Sequence, residues 1–211
     1  MTIPSQQSNA SHCLRWLLDA CLSMSRPQST TLVGIDGRGG AGKSTLATAL
    51  ARLDPRVSII HIDDFYSPLA NHNEMGAAIN WHRVIEQVLS LLRQDQPARY
   101  QRFDWETQRL KEWHDVPVGG IVILEGLYSI RRELAEYLSY RIWVEIPRDV
   151  GMERGIARDG QGSRSWWLNE WVPDEDRYID EERPSEGALL IVDGSTIGLA
   201  LLEKGQYLQV G

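Results

Sequence analysis

Cysteine is scarce in this chain: there are two, Cys13 and Cys21. Their spacing along one amphipathic segment holds them about 12 Å apart at the rise of a helix. That is beyond the reach of a disulfide, so the pair reads as reduced packing residues in a cytoplasmic compartment. No apolar run approaches the ~20 residues that a spanning helix needs. The first eleven residues, MTIPSQQSNAS, are polar and unlike a secretory leader. Positive charge is short as well, since 22 Lys and Arg stand against 29 Asp and Glu for a net charge of −7. Long nucleic acids are held by clustered cations, so a nucleic-acid polymer is not the expected partner. A mononucleotide needs only a few local donors. A guanine-reading N-K-x-D sequence is missing, which argues against a GTPase. Linkers, repeats and low-complexity segments are missing too, so residues 1–211 read as a single domain with a loose leader over 1–11.

What remains is ordinary for a soluble globular chain of 211 residues, with 42% apolar and 24% charged residues. Helical spacing of apolar residues predicts an amphipathic helix over about 12–25, stopped by Arg26-Pro27. An apolar run over 31–36 predicts a buried strand, followed by a glycine loop over 37–42 and a helix over 43–53. Further strands are predicted over 57–62, 121–124, 141–146 and 188–192. Helices are predicted over 80–93, 130–137, 149–158 and 166–182. The tail from 195 fits no single pattern. Strands alternating with helices give an α/β fold with a parallel sheet covered on both faces. In such sheets ligands bind beyond the C-terminal strand ends. Asp36, Asp63, Asp64, Glu125 and Asp193 all fall at predicted strand ends.

Gly37-Arg38-Gly39-Gly40-Ala41-Gly42-Lys43-Ser44 matches G-x-x-x-x-G-K-[ST] throughout. The glycines allow successive N–H groups to turn inward around a phosphate. The following helix adds the positive end of its dipole. Lys43 is expected on the β- and γ-phosphates, Ser44 on Mg²⁺ and Thr45 on the α-phosphate. Strand before and helix after complete the context that this motif requires. ATP with Mg²⁺ is therefore the expected ligand pair.

Glu125 ends a strand, where P-loop proteins often place an acid that works with Mg²⁺. Asp63, in His61-Ile62-Asp63-Asp64-Phe65-Tyr66, is a candidate base for an acceptor hydroxyl, or a holder of metal-bound water. Asp63 and Asp64 alternate across an extended chain, so only one is expected to face the site; both would otherwise cap a loop. Arg154, Arg158 and Arg164 flank the glycine-rich segment 158–164, which has the composition of a mobile lid over about 150–170. Its arginines suit a transferring phosphoryl group, although arginines on a helix face are commonly just solvated. Tyr66, Tyr100, Phe103, Trp105 and Trp113 suit either an acceptor pocket or a satellite core. Trp166, Trp167 and Trp171 read as anchors of the late helix.

Taken together, these segments resemble the uridine kinase and phosphoribulokinase group of P-loop kinases. The residues that carry the likeness are Ile35 to Ser44, Asp63-Asp64-Phe65-Tyr66, Leu124-Glu125-Gly126, Arg154 and Arg158-Asp159. The resemblance implies a P-loop NTPase three-layer sandwich with five parallel strands in the order 2-3-1-4-5. It implies Asp63 as catalytic base, Ser44 and Glu125 at magnesium, Tyr66 in the acceptor pocket and Arg158 in the lid. Two departures fall in the acceptor pocket. Asn80-Trp81-His82 stands where uridine kinases carry an acid followed by His-Pro, and Gln108 stands where a pocket histidine is expected. Asp104 is the expected substitute carboxylate, beside Phe103 and Trp105.

The expected function is an ATP- and Mg²⁺-dependent phosphotransferase acting on a hydroxyl of a nucleoside or other small metabolite. The alternative from a different class is an ATP-dependent switch that needs no small acceptor.

Overall fold

β1 (Thr31–Gly37) is buried at all seven positions, as the middle strand of a sheet covered on both faces must be. In the computed structural model, which describes residues 10–67, 76, 78–195 and 200–202, it lies between two parallel neighbours. β5 (Ile121–Glu125) pairs with it on one side, in the register Ile35↔Glu125. β6 (Tyr140–Glu145) pairs on the other, in the register Asp36↔Trp143. β2 (Val57–His61) lies outside β5, and β7 (Leu190–Asp193) outside β6. The five parallel strands thus run 2-3-1-4-5 when counted alone, as expected. A short strand, β8 (Ala200–Leu202), adds antiparallel to β7 at the edge. It gives part of the ambiguous tail a place; residues 196–199 and 203–211 lie outside the described residues.

Two apolar layers cover the sheet. On one face Cys13, Leu17, Leu18 and Cys21 of the helix Ala10–Leu22 pack with Leu46, Ala47 and Leu50 of the helix Lys43–Leu53. Both cysteines are free and buried, and burial pushes the Cys21 thiol up to about 12. Ala10 and Ser11 already belong to that helix, which corrects the leader boundary; residues 1–9 lie outside the described residues. On the other face the second cluster gathers Phe65, Val84, Val88, Leu89, Leu92, Leu134 and Tyr178 around Leu32 and Val122.

Several predicted elements differ in detail. The insertion after residue 94 is an antiparallel hairpin of β3 (Ala98–Asp104) and β4 (Arg109–Val116), with an irregularity between Gln101 and Phe103. β4 is exposed over most of its length, so it lacks the apolar alternation that announces a strand. The helix expected over 130–137 shrinks to Arg132–Ala135, because Arg131 is still extended at φ −56°, ψ 162°.

Two helical rods contain a wide π turn: Ile85–Leu89 inside 81–93, and Trp167–Trp171 inside 164–182. The second has an evident cause. Pro173 supplies no N–H and its ring crowds the carbonyl one turn earlier. A widened turn before it lets the rod continue.

Candidate functional site

The glycine loop leaves β1 at its C-terminal end and runs into the helix Lys43–Leu53. No side chain caps that helix, and Gly42 leads into it at φ 97°, ψ 19°. Its first N–H groups are thus left for an anionic ligand. Gly40 sits at φ +73° with its α-carbon against the backbone of Gly151; a Cβ there would stand 2.3 Å from the Gly151 carbonyl oxygen. Lys43 arches back over the loop, and its Nζ donates to the carbonyls of Gly37 and Arg38, both at 2.8 Å. Ser44 and Thr45 follow on the exposed first turn.

Beneath the loop lies Asp36, with no exposed surface. Each carboxylate oxygen accepts two donors. Oδ1 takes the N–H of Gly37 at 2.7 Å and of Tyr128 at 3.2 Å. Oδ2 takes the N–H of Ile130 at 3.0 Å and the Tyr178 hydroxyl at 2.8 Å. Burial nonetheless dominates and raises Asp36 to about 6. Its position at a strand end was visible in sequence; its role as the knot under the loop was not.

Ser44 and Glu125 meet across 81 positions of sequence. The Ser44 hydroxyl lies 3.0 Å and 3.1 Å from the two Glu125 oxygens. Glu125 is only 3% exposed. The parallel register puts His61 opposite it, and His61 Nδ1 makes a short hydrogen bond to Glu125 Oε1. That bond is the main reason the His61 pKa is raised. No sequence signal singled out His61, since only the pairing of β2 with β5 reveals its partner. Among the described residues no cluster of three or more His, Cys, Asp and Glu forms a metal cage. One carboxylate and one hydroxyl, both hard oxygen donors beside a phosphate loop, nonetheless fit Mg²⁺, which keeps several waters and shares phosphate oxygens.

β2 ends in a single 3₁₀ turn, Ile62–Phe65, that parts the two acids. Asp64 turns inward, and the Tyr100 hydroxyl donates to its Oδ2 at 2.9 Å. Asp63 stays exposed. Protein closing on its remaining sides strips water from the carboxylate and raises its pKa. Lys43 works against that rise and Glu125 adds to it, so the three groups share one neighbourhood.

Just past this turn Tyr66 packs against Phe103 at 4.9 Å and Trp105 at 4.3 Å between ring centroids. Phe103 is buried while Trp105 is 51% exposed. The segment is therefore both a satellite core, through Tyr100 and Phe103, and an open aromatic wall, through Tyr66 and Trp105.

Asp104, the expected substitute carboxylate, is engaged within its own hairpin. Its Oδ1 accepts from the N–H and hydroxyl of Thr107, at 2.8 and 2.6 Å, and its Oδ2 from Lys111 at 3.2 Å. These bonds draw its pKa down to about 2 and spend both oxygens on the hairpin turn. Gln108 Nε2 likewise donates to the Trp105 carbonyl at 2.8 Å. Asn80 caps its helix by accepting from the Arg83 N–H at 3.1 Å.

The three arginines after β6 separate. Arg154 donates to the carbonyls of Gly194 and Ser195, at 2.6 and 2.7 Å, and ties its helix to the end of β7. Arg164 pairs with Glu153 at the surface. Arg158 stands close enough to Asp63 and Glu125 for their charges to support its protonated state, though its own neighbour Asp159 is the larger cause. The segment that reads as a lid is a helix, Arg148–Asp159, a turn at Gly160 and the start of the late rod.

The sequence profile of the Phosphoribulokinase / Uridine kinase family matches residues 32–164. The chain belongs to this family of P-loop kinases. A uridine kinase of Borreliella burgdorferi is 22% identical over 138 residues, covering 61% of this chain and 66% of the relative. The match thus spans slightly under two thirds of that relative's length. A uridine kinase of Alkaliphilus metalliredigens is 30% identical over 148 residues, covering 64% of this chain and 70% of the relative. A solved structure of a possible uridine kinase from Bacillus stearothermophilus superposes with a TM-score of 0.65 at 19% identity. It covers 84% of this chain and 96% of the other, and that likeness speaks for the fold. No helix among the described residues is long and apolar enough to cross a membrane.

Proposed function

We propose that this chain transfers the γ-phosphoryl group of ATP to a hydroxyl of a small molecule, with Mg²⁺. The observation that carries the reading is the gathering of Asp63, Lys43 and the Ser44–Glu125 pair in one neighbourhood. Ser44 and Glu125 are within 3.1 Å of each other, and Asp63 feels the charges of Lys43 and Glu125.

The residues divide the work. Backbone N–H groups of Gly40 and of Gly42 to Thr45, with the Lys43 ammonium, bind and orient the phosphates. Ser44 and Glu125 would hold the metal, which supplies charge neutralisation between phosphate oxygens. Asp63 accepts the proton of the acceptor hydroxyl as the oxygen attacks. A carboxylate pKa raised by desolvation makes Asp63 a stronger base than an ordinary aspartate. Arg158 offsets negative charge on the group in transit. Tyr66 and Trp105 form the wall against which the acceptor lies. Asn80 offers an amide, with its oxygen capping a helix, where a ribose-binding pocket would use a carboxylate, and Asp104 is engaged by Thr107 and Lys111. We therefore favour acceptors among small hydroxylated metabolites in general over nucleosides alone. Two buried free thiols support a reducing, cytoplasmic setting.

The test is a panel of nucleosides, sugars, sugar phosphates and hydroxy acids, each incubated with ATP and Mg²⁺ and read by mass spectrometry for a phosphorylated acceptor. A phosphorylated product from any class supports the kinase. ADP formed at one rate whatever is added favours the acceptor-free switch.

A further inference from the structure

Arg158 leaves the end of its helix with a side chain 67% exposed, a situation in which arginine ordinarily spreads over many rotamers. Here its Nε and Nη2 donate to the two oxygens of Asp159, at 2.7 and 3.0 Å. A two-pronged pair of this kind fixes direction, but an exposed pair alone contributes little. Asp159 has a further partner. Trp167 Nε1 donates to Asp159 Oδ2 at 3.1 Å.

Trp167 is 3% exposed and is held by two glycines. A Cβ on Gly39 would stand 2.4 Å from its ring, and one on Gly155 would stand 2.2 Å from it. Gly39 belongs to the phosphate loop, and Gly155 to the helix that carries Arg158. Further along the rod that bears Trp167, Glu175 accepts the Gly39 N–H at 2.8 Å. The loop, the indole, Asp159 and Arg158 thus form one unbroken line of contacts.

We infer that Trp167 and Asp159 are positioning residues, which transmit the seat of the phosphate loop at Gly39 to the guanidinium of Arg158 and aim it at the terminal phosphate. The inference rests on the proposed reading of Arg158 as a residue that faces that phosphate. It assigns the indole N–H a use beyond anchoring the late rod.

The test compares affinities for ATP and for ADP, each with Mg²⁺, by calorimetry on the full chain. The variants are Arg158→Ala, Asp159→Asn and Trp167→Phe, with melting curves to confirm folding. Phenylalanine removes the N–H donor together with the outer ring that packs against the glycines; Asp159→Asn leaves that packing intact and so isolates the polar link. Arg158→Ala is expected to lower the preference for ATP about tenfold, the scale of one hydrogen bond to a charged group. Asp159→Asn and Trp167→Phe are each expected to lower it by about threefold or more, and to add nothing once Arg158 is gone. If both keep the wild-type preference while Arg158→Ala loses it, the relay is overturned and the role of Arg158 stands. Equal weakening of ATP and ADP by Trp167→Phe also overturns it, since the indole would then serve the loop alone. An unchanged preference in Arg158→Ala overturns the reading of Arg158 itself.

Discussion

The hydroxyl of Tyr178 donates to Oδ2 of Asp36 at 2.8 Å, across 142 positions of sequence. This bond joins the late rod to the base of the phosphate loop, with both partners buried. Tyr178→Phe removes one of four donors from a carboxylate that has no water to replace it. The expected cost is about 1–3 kcal/mol. It would be read as a lower urea midpoint at unchanged slope, and an unchanged midpoint would contradict it.

Asp36 also sets a pH dependence. Its folded pKa is raised from 3.8 to about 6, so between those values the native state keeps a proton that the unfolded chain releases. Stability from this group therefore falls as pH rises through that window and levels off above it. The size is up to about 3 kcal/mol. Asp36→Asn is expected to be less stable overall but flatter between pH 4 and 6, measured by urea unfolding at several pH values. An equally steep profile in the variant would assign the slope to other groups.

Gly155→Ala sets two effects against each other. Alanine inside a helix is favoured over glycine by about 1 kcal/mol. The new methyl would lie 2.2–2.7 Å from three atoms of the buried Trp167 ring, and overpacking of this kind costs about 1–3 kcal/mol. The ring is closed in by Gly39 and cannot retreat cheaply, so the clash wins. A lower melting temperature is expected; a higher one would show that Trp167 moves freely.

Glu125→Gln keeps the shape of the partner of Ser44 and removes its charge. The magnesium concentration needed for ATP binding is expected to rise about tenfold or more. Calorimetry at graded magnesium would show it, and an unchanged requirement would remove Glu125 from the metal site.

Much of this was legible because the relevant signals are local. A buried strand announces itself by an unbroken apolar run, and the phosphate loop by spacing alone. Ser44 and Glu125 were picked out by those two patterns, and the structure brings their side chains together. What stayed hidden depends on pairing or on local competition. His61 meets Glu125 only through the register of β2 with β5. Asp104 carried a local sign in Thr107, three residues on, because an aspartate at a turn draws nearby N–H and hydroxyl groups, and both of these bond its Oδ1. Pro173 marked the interruption of the late rod but not its form, since a proline is accommodated by a kink, a break or a widened turn.

The central claim is that Asp63 activates the acceptor. The most direct measurement is acceptor-dependent ADP release by wild type and Asp63→Asn, using the acceptor that the panel identifies. ATP affinity should hold while acceptor-dependent kcat falls by about 10²–10⁴, the usual contribution of a positioned base. Turnover that persists in Asp63→Asn would contradict the account.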